Sequence, residues 1–237
     1  MFNKFANRFF HLECLVVTFF NMKQIVLFWW LFILIFFGTV ILGYTSGLDS
    51  DFTIVLLLAI YGIFQGFFLW RAFKYGRDWV VASIVLQAVM ATGAPLYFSN
   101  FGDPVYEYVT GTWFDSTDSL DPCQLCWWAR IMMFPIVPLS LIVLFTKSRA
   151  VLGYIYAITF PGMILEAFHY ILQKPGLIGK ATIDNPFWCT AANPCSALSV
   201  DYFGFITIPL LCFLAFLIIN IFAMFALFSK KIEKATK

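Results

Sequence analysis

Apolar residues fall in six long runs, at about 24–43, 53–71, 79–98, 127–145, 150–172 and 204–228, separated by short polar stretches. Each run has the length of a membrane-spanning helix, roughly 20 residues for a hydrocarbon core of about 30 Å. Continuous runs of this kind cross lipid as helices, because every backbone N–H and C=O must then find its partner within the segment. An earlier apolar stretch, Phe9–Met22, is too short to cross and is bounded by Arg8 and Lys23. It reads as a helix lying in the interface. It lacks a small-residue cleavage site, so a removed signal peptide is not expected. Trp29, Trp30, Trp70, Trp79, Trp127 and Trp128 stand near run ends, as interfacial aromatics do.

Composition agrees with lipid as the solvent. The chain of 237 residues is 62% hydrophobic and 20% aromatic, with only 12% charged, far from the soluble average. There is no low-complexity segment and no internal repeat. A formal charge of +2 says little alone, and no nucleic-acid partner is expected. Its distribution says more. Residues 1–23, 71–78, 146–149 and 229–237 hold 12 of the 15 Lys and Arg. The alternate connections carry Asp49, Asp51, Asp103, Glu107, Asp115, Asp118, Asp121, Asp184 and Asp201, with Lys174 and Lys180 their basic residues. The positive-inside rule makes the first set cytoplasmic. The expected fold is all-α and polytopic, six transmembrane helices in the cytoplasmic membrane with both termini inside.

Four of the six cysteines form two close pairs, and both pairs fall on the outer side, where disulfides form and persist. Cys123 and Cys126 open the fourth span. A helix N-terminus offers unsatisfied N–H groups and a positive dipole end, which favour thiolate, the reactive form of cysteine. Arg130 lies one turn further in and is the basic residue inside a predicted span, an expensive placement that favours function over snorkelling. Cys189 and Cys195 lie in an outer loop, 173–203, punctuated by Pro175-Gly176, Asn185-Pro186 and Asn193-Pro194. A disulfide closing so short a loop adds little stability, so it reads as an exchangeable bridge on a mobile arm in water; a loop-tying structural disulfide is the plainer alternative. The outer location disfavours a zinc site of four thiolates, and no metal is expected. Cys14 and Cys212 sit alone in apolar surroundings and read as inert small hydrophobes.

Two pairs at different depths can pass two electrons from water to membrane by thiol–disulfide exchange. The final acceptor must be lipid-soluble and take up two electrons and protons, which a quinone does. There is no haem, iron–sulfur or glycine-rich nucleotide pattern.

Pro122-Cys123-Gln124-Leu125-Cys126-Trp127-Trp128-Ala129-Arg130 resembles the P-C-x-L-C-W-x-Q-R motif of the DsbB disulfide bond formation proteins. Asn193-Pro194-Cys195 through Asp201-Tyr202-Phe203-Gly204-Phe205-Ile206-Thr207-Ile208-Pro209 resembles the P-C…W-F-G-F-I-T-I-P segment of the BdbC-like branch, and His169-Tyr170-Ile171-Leu172-Gln173 the family's H-x-x-L-Q run. The resemblance covers about residues 79–228. It implies a DsbB-like four-helix core over 79–237, with residues 1–78 an interfacial segment and two accessory spans. It also implies a membrane thiol oxidase that reoxidises a thioredoxin-fold, DsbA-like protein and reduces ubiquinone or menaquinone. In that scheme Cys189 accepts the partner's thiolate and Cys195 attacks Cys123. Cys126 is released facing the quinone, Arg130 holds that thiolate and the quinone oxygen, and His169 lies near the quinone. Ala129 stands where the family has Gln and Tyr202 where it has Trp, and the short Cys189–Cys195 spacing matches the BdbC-like branch.

Glu166 and His169, three residues apart, share a helix face and form either a proton path or a mutually satisfied pair. Gln87, deep in the third span, is expected to make a helix–helix hydrogen bond. Two other functional readings use the same residues: a thiol reductase running electrons the opposite way, and a non-catalytic scaffold or transporter with structural disulfides.

Overall fold

The computed structural model describes residues 24–35, 38–39, 50–101, 121–179, 186–187, 189–190, 194–198 and 201–228. Among these the chain is helical. Its elements are α1 (Gln24–Ile35), α2 (Ser50–Tyr75), α3 (Arg77–Phe101), α4 (Gln124–Met133), α5 (Ile136–Thr146), α6 (Arg149–Gln173) and α7 (Ile208–Phe228). The expected interfacial segment and the loop at 102–120 lie outside the described residues.

Among the described residues, four helices are long and apolar enough to cross a membrane: Arg77–Tyr97, Gln124–Thr146, Arg149–Gln173 and Ile208–Phe228. The first two predicted runs contain the shorter apolar helices Gln24–Ile35 and Val55–Arg71. Leu27, Ile63, Ile131, Phe145 and Tyr154 point outward, an apolar exterior that lipid accepts and water does not. The chain is thus a polytopic helical membrane protein. The span from Gln124 to Thr146 is interrupted between α4 and α5 at Phe134-Pro135, because proline has no N–H for the helical ladder. The last predicted run starts late. Residues 202–206 form a tight turn rather than helix, with Phe203 and Gly204 both left-handed (φ 54° and 75°) and an isolated antiparallel bridge between Tyr202 and Ile206.

The core forms along α7, which packs against both α6 and α3, with α5 against α3 and α6 and α2 against α3. Gly162 of α6 faces the ring of Phe216 on α7, and a Cβ there would stand 2.7 Å from two ring carbons. Small residues of this kind let membrane helices approach closely. Polar glue accompanies it. Thr159 donates to Asn220 Oδ1 at 3.0 Å between α6 and α7. Gln65 Nε2 donates to Gln87 Oε1 at 3.2 Å between α2 and α3, and Ser83 donates to Gln65 Oε1. The helix–helix bond expected of Gln87 is therefore present. Aromatic rings dock α1 onto this frame: Phe28 meets Trp79 edge-on at 5.8 Å, and Phe32 meets Phe64 at 5.0 Å. The Arg71 guanidinium lies 5.0 Å from the Trp79 ring.

The bundle has two chemically distinct ends. At one, Gly76 (φ 98°) turns α2 directly into α3. There Arg77 Nη2 donates to Lys147 O at 2.6 Å, Lys147 pairs with Asp78 at 3.4 Å, and Arg149 donates to Leu227 O. The residues expected to be cytoplasmic thus gather together. The cysteine pairs lie at the other end.

Candidate active site

Cys123 is the N-cap of α4, in extended conformation (φ −67°, ψ 169°). Its Sγ accepts from the Cys126 N–H at 3.4 Å, and its carbonyl accepts from the Trp127 N–H at 3.1 Å. Sulfur thus takes the place of the usual capping oxygen. One helical turn brings Cys126 Sγ to 3.0 Å from Cys123 Sγ. Both thiols are free. Across from them, His169 Nε2 lies 3.6 Å from Cys123 Sγ. The Cys123 thiol is pulled down from its ordinary value to about 4, first by its hydrogen bond with Cys126 and next by that with His169, while burial opposes both.

His169 is fully buried on α6, one turn after Glu166, which is 1% exposed. Their closest atoms, His169 Nδ1 and Glu166 Oε2, are 3.5 Å apart. That is an ion-pair separation, longer than an aligned hydrogen bond, and Glu166 Oε1 has no hydrogen-bond partner among the described residues. The ring therefore presents one nitrogen to sulfur and the other to carboxylate.

Arg130 is 8% exposed. Its Nη2 donates to Pro95 O on α3 at 3.0 Å, and its guanidinium lies 5.3 Å from the Trp127 ring. Its Nε has no hydrogen-bond partner among the described residues. Arg130 thus does not snorkel to the interface: it is anchored inside, with N–H capacity to spare. Trp127 and Trp128 are exposed beside it.

Cys189 and Cys195 form a disulfide. It does not sit out on an arm in water. Cys195 is fully buried in a small cluster with Leu125 and Leu172, against which Cys123 and Cys189 also pack. The reason lies at the end of α6, which holds the loop at three points. Gln173 Nε2 donates to Ala197 O at 2.8 Å, Tyr170 O–H to Phe205 O at 3.0 Å, and Lys174 Nζ pairs with Asp201 at 2.6 Å. The expected separation of the two pairs by depth is corrected to close packing. Cys189 remains the partly exposed member. A four-thiolate zinc site is not what these cysteines build, since two of the sulfurs are bonded to each other.

All six expected site residues thus lie at one end of the bundle, on α4, α6 and the clamped loop. Sequence reasoning missed Leu125 and Leu172 as the seat of Cys195, although Leu125 lies between the two thiols. It also set Cys212 aside. That thiol, near the start of α7, is within electrostatic reach of Cys126, Arg130 and Glu166. Its depth, counted from the outer end of the last span, was the available signal.

The family model for "Disulfide bond formation protein DsbB" matches residues 105–226. Disulfide bond formation protein C of Bacillus subtilis (strain 168) is 38% identical over 102 residues, covering 43% of this chain and 70% of the relative. A probable disulfide formation protein of Oceanobacillus iheyensis is 32% identical over 141 residues, 57% of this chain and 80% of the relative. A probable disulfide formation protein C of Halalkalibacterium halodurans is 34% identical over 114 residues, 46% and 76% respectively. No solved structure matches. With half of its length under that model, and with the paired cysteines inside the match, the chain belongs to the DsbB family of disulfide bond formation proteins.

Proposed function

We propose that this protein is a membrane thiol oxidase that accepts electrons from a DsbA-like, thioredoxin-fold dithiol protein outside the cytoplasm and delivers them to a membrane quinone. The observation that carries the reading is the packing of the buried Cys195 and the N-cap thiol Cys123 around one apolar cluster. A structural disulfide has no need of a free thiol pair beside it.

The relay runs by successive exchange. A partner thiolate attacks Cys189, the more exposed sulfur, and the Cys189–Cys195 bond breaks to leave Cys195 as thiolate. Cys195 attacks Cys123 of the oxidised first pair, and Cys126 departs as thiolate. Each exchange forms one S–S bond and breaks one, and the electron pair moves inward. Cys123 is suited to this centre because the helix N-terminus and the neighbouring thiol stabilise its anion. A second attack, by the partner's other thiol, frees Cys189 and releases the partner oxidised; Cys189 then attacks Cys195, re-forming the Cys189–Cys195 disulfide and releasing Cys123 as thiolate.

The residues beside Cys126 fit a quinone. The spare Nε–H of Arg130 is a cationic donor for a carbonyl oxygen, and the exposed Trp127 and Trp128 face where lipid-soluble molecules arrive. Bound there, a quinone supplies a two-electron, two-proton acceptor. Arg130 orients it and favours a neighbouring thiolate, and His169 is placed to move protons. The separation of the cysteine end from the basic end supports an orientation with the cysteine pairs outside the cytoplasmic membrane. The packing of α1 and α2 onto α3 supports their reading, within residues 1–78, as accessory to a core over 79–237. Reduced DsbA-like protein, added to the purified chain with ubiquinone or menaquinone, tests the proposal: quinone reduction is expected, and its persistence after joint loss of Cys123 and Cys126 would refute it. Potentials of the two pairs, measured against each other, fix the direction of flow.

A further inference from the structure

Glu166 has no task in the relay just described. It nonetheless holds a carboxyl group inside a helical bundle, 1% exposed, where an uncompensated charge is costly. Such a group is kept where something uses it. The titratable and charged groups around it are few. On its own helix there is His169; from the start of α4 come Cys123 and Cys126; from α7 comes Cys212. Of these, His169 is in direct contact, Nδ1 to Oε2 at 3.5 Å, and the far side of the same ring stands 3.6 Å from Cys123 Sγ.

We propose that Glu166 is a positioning residue that holds His169 with Nδ1–H toward its carboxylate and Nε2 toward Cys123, so that His169 takes the Cys123 thiol proton. The three groups form a carboxylate–imidazole–thiol line. An imidazole's two nitrogens are set by what the other one binds. A carboxylate at Nδ1 fixes the hydrogen there and leaves the Nε2 lone pair for the S–H. In the step, the S–H bond of Cys123 breaks and an N–H bond forms at Nε2. No electrons change hands. The products are a thiolate and an imidazolium, the latter held between two anionic groups.

The placement gives the pair a specific duty. For the Cys123–Cys126 bond to close as the electron pair passes to the acceptor, Cys123 must be thiolate, and it is the sulfur that His169 faces. Gly162, one turn before Glu166, brings α7 against this face of α6 and closes it from outside. The inference rests on the reading of Cys123–Cys126 as the redox pair, but its test involves neither quinone nor partner protein.

The test is alkylation of Cys123 by iodoacetamide in the fully reduced, detergent-purified chain, followed by mass spectrometry of its peptide between pH 4 and 9. Wild type, Glu166→Gln, Glu166→Leu and His169→Asn are compared. Glu166→Leu and His169→Asn are expected to move the midpoint up by at least one pH unit and so to slow alkylation at pH 4 by about fivefold or more. Glu166→Gln, which still accepts from Nδ1–H but carries no charge, is expected between them and wild type, and carries the test if the leucine variant does not fold. An unchanged midpoint in both Glu166 variants, with thermal unfolding like wild type, overturns the proposal. So does a lower rate with no movement of the midpoint, which marks blocked access rather than lost proton transfer. Failure of the thiol oxidase reading instead appears as absent exchange with a dithiol partner while the midpoint still moves.

Discussion

Leu125 separates the two thiols of the first pair in sequence, and it is also the residue against which Cys195 is buried. One residue thus stands within one cysteine pair and seats a member of the other. Leu172, at the end of α6, completes the seat and is itself fully buried.

This arrangement makes Leu172→Ala informative. Removing a buried leucine side chain costs about 2–5 kcal/mol in stability, and here it also frees Cys195 from its position beside Cys123. Thermal unfolding is expected to fall accordingly, and transfer between the two pairs to slow more than exchange of the Cys189–Cys195 disulfide with a soluble dithiol. Stopped-flow measurement of the two steps separates them.

Among the cysteines, Cys126→Ser is expected to abolish quinone reduction while leaving exchange with a soluble partner intact. Cys189→Ser is expected to block that exchange at its first step. Trapped mixed disulfides, resolved by mass, check both. A partner linked to Cys195 in place of Cys189 would contradict the order set by their exposure.

The Cys123 thiol, lowered from 9.0 to about 4, gives a pH signature with a definite sign. The reduced fold has its full contribution from this anion above the ordinary thiol value. The contribution shrinks as pH falls through that window and is gone below about 4. Within the window, oxidation of the pair releases one proton rather than two. Its potential is therefore expected to fall by about 30 mV per pH unit, not about 59 mV. Redox titration of the Cys189→Ser/Cys195→Ser variant between pH 5 and 8 measures the slope.

For Arg130, the expected outcome depends on donors as well as charge. Arg130→Met is expected to raise the KM for quinone by tenfold or more, from loss of a charged hydrogen bond of about 1.5–3 kcal/mol. Arg130→Lys recovers part of this, since an ammonium keeps the charge but lacks the planar fork that also reaches Pro95 O. Steady-state quinone reduction over a range of quinone concentrations measures both variants.

Between α2 and α3, Gln65 and Gln87 are expected to couple by about 0.6–1.7 kcal/mol in a double-mutant cycle, the range found for interhelical polar bonds in membranes. Reversible unfolding of the full chain in detergent gives the coupling. A value near zero would leave the aromatic contacts of Phe28, Phe32 and Trp79 as the main attachment of the first two helices.

The four long spans were legible because lipid imposes one rule on every residue they contain, and Arg77, Lys147 and Arg149 gather at one end of them. Cys123, Cys126 and Arg130 were legible for a local reason: all three lie within two turns of one helix start, so spacing alone fixes their relation. The loop was not. Nothing in Cys189 to Cys195 says that Gln173 and Tyr170 will hold their segment against the bundle, because those bonds go to backbone carbonyls that carry no side-chain signature. His169 was placed on the right face, but the spacing of Glu166 and His169 could not say which sulfur the ring would meet. Residues 204–206 were counted with the last span because Phe205 and Ile206 are apolar, while Phe203-Gly204 takes a turn that hydropathy does not register.

The clasp at the basic end has a mechanical consequence. Arg77 on Lys147 O, Arg149 on Leu227 O and Asp78 with Lys147 involve no sulfur, so no step of thiol–disulfide exchange makes or breaks any of them. The helices are gripped like tweezers at the handle, and the S–S bonds change only at the tips.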